Sequence, residues 1–190
     1  MLTIARSELI LGGQKSGKSR RAELLAREWL AQSPQHNAAL IATGQPWDDE
    51  MRERIRRHQF DRAERVPGLE TIEEPLRLAE TIQQHSRPDT LLVADCLTLW
   101  LTNLMMPAAG TGLSGAALES EIMKLTQSIV AAPGPLVLVG NEIGLGVIPL
   151  GREVRAFVDA LGRLNQAVAA ACSRATLMAA GLPLTLKDLA

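Results

Sequence analysis

The chain has 190 residues, and its 20 lysines and arginines nearly balance its 21 aspartates and glutamates. A net charge of −1 excludes a strong electrostatic attraction to nucleic acid or to an anionic membrane surface. No apolar stretch reaches the roughly 18 residues of a membrane span, and the length predicts one domain over residues 1–190. Cys96 and Cys172 lie in apolar surroundings, so we expect reduced core thiols in a cytoplasmic protein.

Short apolar runs alternate with longer amphipathic segments, a pattern that predicts an α/β fold with a mostly parallel sheet flanked by helices. The predicted strands are Glu8–Leu11, Ala38–Ala42, Thr90–Ala94, Leu136–Val139 and Ala175–Ala179, with Leu182–Leu186 as a further edge strand. The predicted helices are Lys18–Ala31, Asp48–Phe60, Pro75–His85, Gly115–Ala131 and Gly151–Cys172, with another carrying Thr98, Thr102 and Asn103. Small residues, Pro and Gly over Pro107–Ser114 predict a surface loop.

The most specific motif follows the first strand. Residues 12–19 fit the phosphate-binding pattern G-x-x-x-x-G-K-[ST], placed between a strand and a helix as that pattern requires. The glycines let backbone N–H groups point at phosphate oxygens, Lys18 brings a positive charge, and Ser19 offers a hydroxyl to Mg²⁺. The predicted nucleoside triphosphate site therefore comprises Gly12, Gly13, Gln14, Lys15, Ser16, Gly17, Lys18 and Ser19.

The second strand leads through Thr43 and Gly44 into an arginine-rich helix. Guanidinium groups there would pair with phosphate oxygens, but a solvated helix edge with acidic partners explains the same pattern. His58 shares a helix face with Met51 and Ile55. A partly buried structural histidine and a nucleophile or general base both fit that placement.

Polar residues also follow the third and fourth strands of the predicted sheet. Asp95 ends a hydrophobic strand, where a carboxylate is expected to hold Mg²⁺ through water, although a helix N-cap has the same signature. Asn141 and Glu142 open a segment with two spaced glycines, which predicts a shaped recognition loop. Because ligands bind at the carboxyl ends of parallel strands, we expect these groups to surround one site.

Five segments of the chain together resemble the bifunctional adenosylcobinamide kinase / adenosylcobinamide-phosphate guanylyltransferase family of cobalamin biosynthesis. They are GGQKSGKS, IATGQ with DDEMRERIRRH, DCLTLWLTN, GNEIGLGVIP and GRLNQ, and the match spans nearly the whole chain. The resemblance implies a RecA-like P-loop fold assembled as a homotrimer. It also implies that ATP or GTP phosphorylates adenosylcobinamide. GTP then transfers GMP to adenosylcobinamide phosphate through a covalent bond to histidine, with release of pyrophosphate.

The motifs and the resemblance together predict Lys18 and His58 as catalytic residues and Ser19 and Asp95 as Mg²⁺ ligands. Beyond the phosphate loop, the predicted nucleotide-binding set comprises Thr43, Gly44, Arg57, Glu73, Asp95, Asn141 and Glu142.

Arg57 marks a departure from the family, because many members carry two adjacent histidines where this chain reads Arg57-His58. A protonated guanidinium cannot act as a nucleophile. Either His58 takes the GMP, or the transferase half is altered or lost. A P-loop kinase of small molecules without guanylyltransferase activity is therefore the alternative. A nucleotide-dependent switch with a protein partner is a further alternative from another class.

Overall fold

The computed structural model describes residues 3–46 and 49–189, without the side chains at positions 50, 51, 54, 55 and 58. The strands of this part are β1 (Ser7–Gly12), β2 (Asn37–Ala42), β3 (Leu69–Glu73), β4 (Thr90–Asp95), β5 (Leu136–Val139), β6 (Arg174–Ala179) and β7 (Leu182–Asp188). Its helices are α1 (Lys18–Gln32), α2 (Asp49–Arg65), α3 (Leu78–His85), α4 (Leu97–Met105), α5 (Gly115–Ala131) and α6 (Arg152–Ala171).

The strands form a seven-stranded sheet in the order β3-β2-β4-β5-β1-β6-β7. The strands from β1 through β6 all pair with their neighbours in parallel, and β7 runs antiparallel to β6. The sheet is therefore mostly parallel with helices on both faces, which confirms the predicted fold class.

Each face of the sheet carries its own apolar core. One core packs α1 residues such as Leu25 against β-strand residues such as Ile10 and Val93. The other packs α3, α4, α5 and α6 against the opposite face, with Trp100 and Leu164 almost completely buried. Burial on both faces explains why the central strands read as continuous apolar runs, as parallel strands usually do.

The predicted strands and helices are present with small shifts at their ends, including the edge strand β7 and the loop over Pro107–Ser114. The predicted second helix extends to Arg65, while Asp48 lies outside the described residues. β3 is a strand that the sequence analysis missed. Among the described residues, no helix combines the length and the hydropathy that crossing a membrane requires.

Candidate nucleotide site

The register of the sheet brings the predicted site segments to one edge. Ala42 at the end of β2 lies opposite both Asp95 of β4 and Glu73 of β3. Asp95 in turn lies opposite Val139 of β5, which is also the partner of Ile10 in β1. The segments that follow these strands therefore open at the same carboxyl edge, where α/β proteins bind ligands.

The phosphate loop is held in a conformation that needs glycine. A Cβ at Gly12 would lie 2.5 Å from the carbonyl oxygen of Met178 and 2.6 Å from Ser16 Oγ. Gly17 has φ of 102°, and a Cβ there would lie 3.3 Å from the Cα of Gly181. The turn between β6 and β7 also bonds the loop, since the N–H of Gly181 donates to Ser16 O at 3.0 Å. Gly17 thus allows the close contact with this turn, and Gly12 allows the close contact with β6.

Lys18 lies folded into the phosphate loop. Its side chain is buried, and Nζ donates a hydrogen bond to Gly13 O at 2.6 Å. Burial lowers the pKa of Lys18, while the negative charge of Asp95 acts in the opposite direction. The ammonium is thus partly desolvated, which strengthens its attraction to a phosphate oxygen.

Hydrogen-bond donors remain available around Lys18. Helix α1 begins at Lys18, its N-cap residue Gly17 makes no side-chain cap bond, and no acidic residue occupies the first turn. The first N–H groups of a helix lack intrahelical partners and attract anions. Within the described protein, the buried Ser16 Oγ also has no hydrogen-bond partner. This arrangement is suited to binding several phosphate oxygens.

Ser19 and Asp95 are the predicted magnesium ligands. Both are partly exposed, Ser19 in the first turn of α1 and Asp95 at the end of β4. Among the described residues, no group of three or more His, Cys, Asp or Glu side chains could hold a metal ion by itself. Mg²⁺ usually binds through one or two protein oxygens together with waters and substrate phosphates. A hydroxyl and a carboxylate beside a phosphate loop fit that donor set.

Thr43 is completely buried and bonded to the backbone of Cys96. Its Oγ1 donates to Cys96 O at 2.7 Å and accepts from Cys96 N–H at 2.9 Å. The side chain of Asn103 donates to Thr43 O at 2.8 Å. Thr43 therefore ties the end of β2 to the end of β4 next to Asp95, and its contact with a nucleotide stays a prediction.

Asn141 and Glu142 lie beside the phosphate loop. The N–H of Glu142 donates to Gly12 O at 3.1 Å, and the N–H of Asn141 donates to Thr98 Oγ1 at 2.9 Å. Asn165 Nδ2 donates to Asn141 O at 3.1 Å and lies 3.5 Å from Glu142 Oε2. The segment after β5 is thus fixed from three directions next to the phosphates' expected position.

Asn165 is a functional candidate that the sequence analysis did not single out. It is buried in α6 beside Leu161, Leu164 and Val168, and its Oδ1 has no hydrogen-bond partner among the described residues. The available signal was one amide on an otherwise apolar helix face. Periodicity alone does not show that this amide supports the loop at Asn141.

Helix α2 carries the predicted residues Arg57 and His58. The side chain of His58 lies outside the described part of the structure, and that of Arg57 is exposed. Gln59 Nε2 lies 3.5 Å from Glu73 Oε1, so this part of α2 is near the carboxyl end of β3. Arg65 at the end of α2 pairs with Glu23 of α1 at 2.9 Å. The structure therefore brings this part of the α2 backbone to the ligand edge.

A phosphate loop between the first strand and the first helix of this sheet defines the class of P-loop nucleotide-binding proteins. Two solved structures are similar in fold. A Pyrococcus horikoshii OT3 protein has a TM-score of 0.54 at 10% identity and covers 100% of this chain and 89% of its own. The flagellar accessory protein FlaH of Methanocaldococcus jannaschii has a TM-score of 0.54 at 11% identity, covering 98% and 80%.

Comparison with sequence families then narrows the class. The family model "Cobinamide kinase / cobinamide phosphate guanyltransferase" matches residues 8–186. The "Bifunctional adenosylcobalamin biosynthesis protein CobP" of Pseudomonas aeruginosa is 46% identical, covering 95% of this chain and 96% of that protein. The corresponding CobU protein of Escherichia coli is 36% identical, covering 94% and 98%. The chain belongs to the cobinamide kinase / cobinamide phosphate guanyltransferase family, and it is a bifunctional enzyme of cobalamin biosynthesis.

Proposed function

We propose that the chain phosphorylates adenosylcobinamide with ATP or GTP and then transfers GMP from GTP to the product through a covalent bond to His58. The observation that carries the proposal is the phosphate loop with buried Lys18, placed next to Asp95 at the carboxyl edge of the sheet. Family membership supplies the acceptor. Phosphoryl transfer depends mainly on positioning and charge stabilisation, and these residues supply both.

In the kinase step, the hydroxyl oxygen of the aminopropanol arm attacks the γ-phosphorus. The new O–P bond forms as the bond to the β,γ-bridging oxygen breaks, and the hydroxyl proton passes to water. Lys18 and the free N–H groups at the start of α1 stabilise the negative charge on the phosphate oxygens. Magnesium, which Ser19 and Asp95 would hold together with the phosphates, supplies further positive charge when bound.

In the transferase step, a nitrogen of the neutral His58 imidazole attacks the α-phosphorus of GTP. An N–P bond forms and pyrophosphate leaves. A phosphate oxygen of adenosylcobinamide phosphate then attacks the same phosphorus, which releases the imidazole and forms adenosylcobinamide-GDP. We assign to the neighbouring Arg57, whose guanidinium stays protonated, the binding of the nucleotide phosphates.

We also propose that the enzyme works in the cytoplasm as a homotrimer, as the resemblance implies. Leu182, Leu184 and Leu186 form an exposed apolar stripe on the edge strand β7, which supports association with other copies. The free thiols of Cys96 and Cys172 are buried, which suits a reducing compartment.

Labelling with GTP that is radioactive at the α-phosphate tests the covalent step. After denaturation, we expect acid-labile label on the wild-type protein and none on His58→Ala, because a phosphoramidate is stable to denaturants but hydrolyses in acid. His85→Ala is the matched control, since His85 is exposed at the end of α3, and it should retain the label.

The same assays separate the two activities. Lys18→Ala should lose both the phosphorylation of adenosylcobinamide and the labelling, because both steps use the phosphate loop. Label on His58→Ala would contradict the assignment of the nucleophile. Wild-type protein that phosphorylates adenosylcobinamide but takes up no label would contradict the covalent intermediate.

A further inference from the structure

The segment between β5 and α6 exposes a series of large apolar side chains. Their exposed fractions are 42% for Ile143, 81% for Leu145, 96% for Val147, 77% for Ile148 and 96% for Leu150. We call residues 143–150 the apolar loop. Apolar groups concentrated in one exposed segment are typical of a binding surface, whereas single exposed apolar residues are ordinary.

Polar contacts fix both ends of the apolar loop. At its start, Glu142 Oε1 accepts a hydrogen bond from the N–H of Gly144 at 2.7 Å. At its end, Arg155 donates to the carbonyl oxygen of Pro149 at 2.9 Å and also to that of Leu150. The backbone is thus held while the apolar side chains stay in water. Burial of these side chains therefore requires a partner.

The position of the apolar loop indicates the partner. The loop begins directly after Glu142, whose N–H donates to Gly12 O in the phosphate loop. In the kinase step the acceptor hydroxyl must reach the γ-phosphate, so the rest of the acceptor lies within the length of its aminopropanol arm. That remainder is a corrin ring, a wide macrocycle with methyl groups and amide side chains. The polar Asn141 and Glu142 at the base of the loop and the apolar groups beyond them match this chemistry.

We infer that the apolar loop binds the corrin ring of adenosylcobinamide and of its phosphate. The inference rests on the proposed function and deepens it, because it names the surface that selects the acceptor. The competing occupant is a second copy of the chain. The β7 stripe lies on a sheet edge, where subunit contacts are more readily made, while the apolar loop directly follows Glu142, which is bonded to the phosphate loop.

The test is equilibrium dialysis of the double variant Leu145→Ser/Val147→Ser. Two coloured ligands are compared, adenosylcobinamide and a corrinoid that lacks the aminopropanol arm. We expect the Kd of both to rise about tenfold, because two apolar contacts with the ring are lost. The Kd for GTP should change less than about twofold. Val130→Ser, at a valine 55% exposed near the end of α5, is the control and should leave every Kd unchanged.

Gel filtration of the same proteins separates the competing occupant. An unchanged corrinoid Kd in the double variant overturns the inference, whether or not its size changes. If both the oligomer size and the corrinoid Kd change in the double variant, wild-type protein is diluted until it has the same oligomer size as the variant and is then dialysed. Tight corrinoid binding by this diluted wild-type protein supports the inference, and weak binding overturns it. Wild-type protein that binds no corrinoid overturns the proposed acceptor as well, so the two failures are distinguishable.

Discussion

At the scale of single residues, Thr43 shows how a buried hydroxyl positions the site. Its Oγ1 satisfies both the N–H and the C=O of Cys96, the residue that follows Asp95. Because Thr43 is completely buried, water cannot replace either bond. The geometry of the chain at Asp95 therefore depends on this side chain.

Thr43→Val keeps the shape of the side chain but leaves the N–H of Cys96 unpaired, and it removes one of the two hydrogen bonds to the C=O, which also accepts from Trp100 N–H. We expect the free energy of unfolding to fall by about 1–3 kcal/mol and the KM for the triphosphate to rise. Urea denaturation followed by tryptophan fluorescence and steady-state kinase kinetics measure the two effects. Thr43→Ser keeps the hydroxyl and is the control. An equal loss in Thr43→Ser, which keeps the hydroxyl, would contradict the hydrogen-bond argument.

The phosphate loop was predictable from residue identity, because the geometry of phosphate binding dictates the spacing of its glycines, lysine and serine. The same information could not separate groups that face a ligand from groups bonded to the backbone. Thr98 illustrates this limit, since the sequence analysis noted it as a small polar group near the site, yet its Oγ1 accepts the N–H of Asn141. Only tertiary contacts show which polar atoms are already paired.

At the scale of elements, an ion pair joins the end of helix α2 to helix α1. Arg65 Nη1 lies 2.9 Å from Glu23 Oε2, and Glu23 is only 6% exposed. Pairing with Glu23 raises the pKa of Arg65. A buried carboxylate that loses its partner is costly, so this pair fixes where α2 ends.

Arg65→Gln should therefore loosen α2 and slow the transferase step more than the kinase step, since α2 carries His58 while the phosphate loop belongs to α1. We expect the rate of GMP labelling to fall about tenfold or more, which corresponds to a rise of roughly 1.4 kcal/mol in the activation free energy of that step. The kinase kcat/KM should change less than about threefold. Arg163→Gln is the control, because its pair with Glu119 on α5 is exposed on both sides. An equal reduction of both activities would contradict a separate role for α2.

Most helices and strands were predictable from the sequence, but β3 was not. Leu69 and Ile72 are only partly buried, and the remaining residues of this strand are exposed. Because β3 is at the sheet edge, it lacks the continuous apolar run that identified the central strands. Its pairing with β2 is a long-range property that the local pattern of Leu69–Glu73 does not specify.

At the scale of the whole molecule, one buried charge cluster joins elements that are distant in sequence. Glu8 in the buried strand β1 accepts hydrogen bonds from Arg21 of α1 at 2.9 Å and from Thr176 of β6 at 2.8 Å. Arg174 lies 3.8 Å from the other carboxylate oxygen and pairs with Asp188 of β7. These contacts hold α1, and with it the phosphate loop, in register with the sheet. A glutamate within an apolar run was the sequence signal, but its partners lie far along the chain.

Stability above pH 9 tests whether the core thiols stay buried in the folded molecule. Burial raises the pKa of Cys172 from 9.0 to about 12, and the chain contains no tyrosine that would titrate in the same range. The folded state thus keeps the neutral thiol while the unfolded state ionises. Stability is fully present below pH 9 and is lost as the pH rises toward 12, by about 1.4 kcal/mol per pH unit for this thiol. Cys172→Ala should remove that contribution and flatten the dependence of the urea midpoint between pH 9 and 11, even if its stability at pH 8 is lower. Parallel pH profiles for wild type and variant would show that Cys172 is not protected from ionisation in the native state.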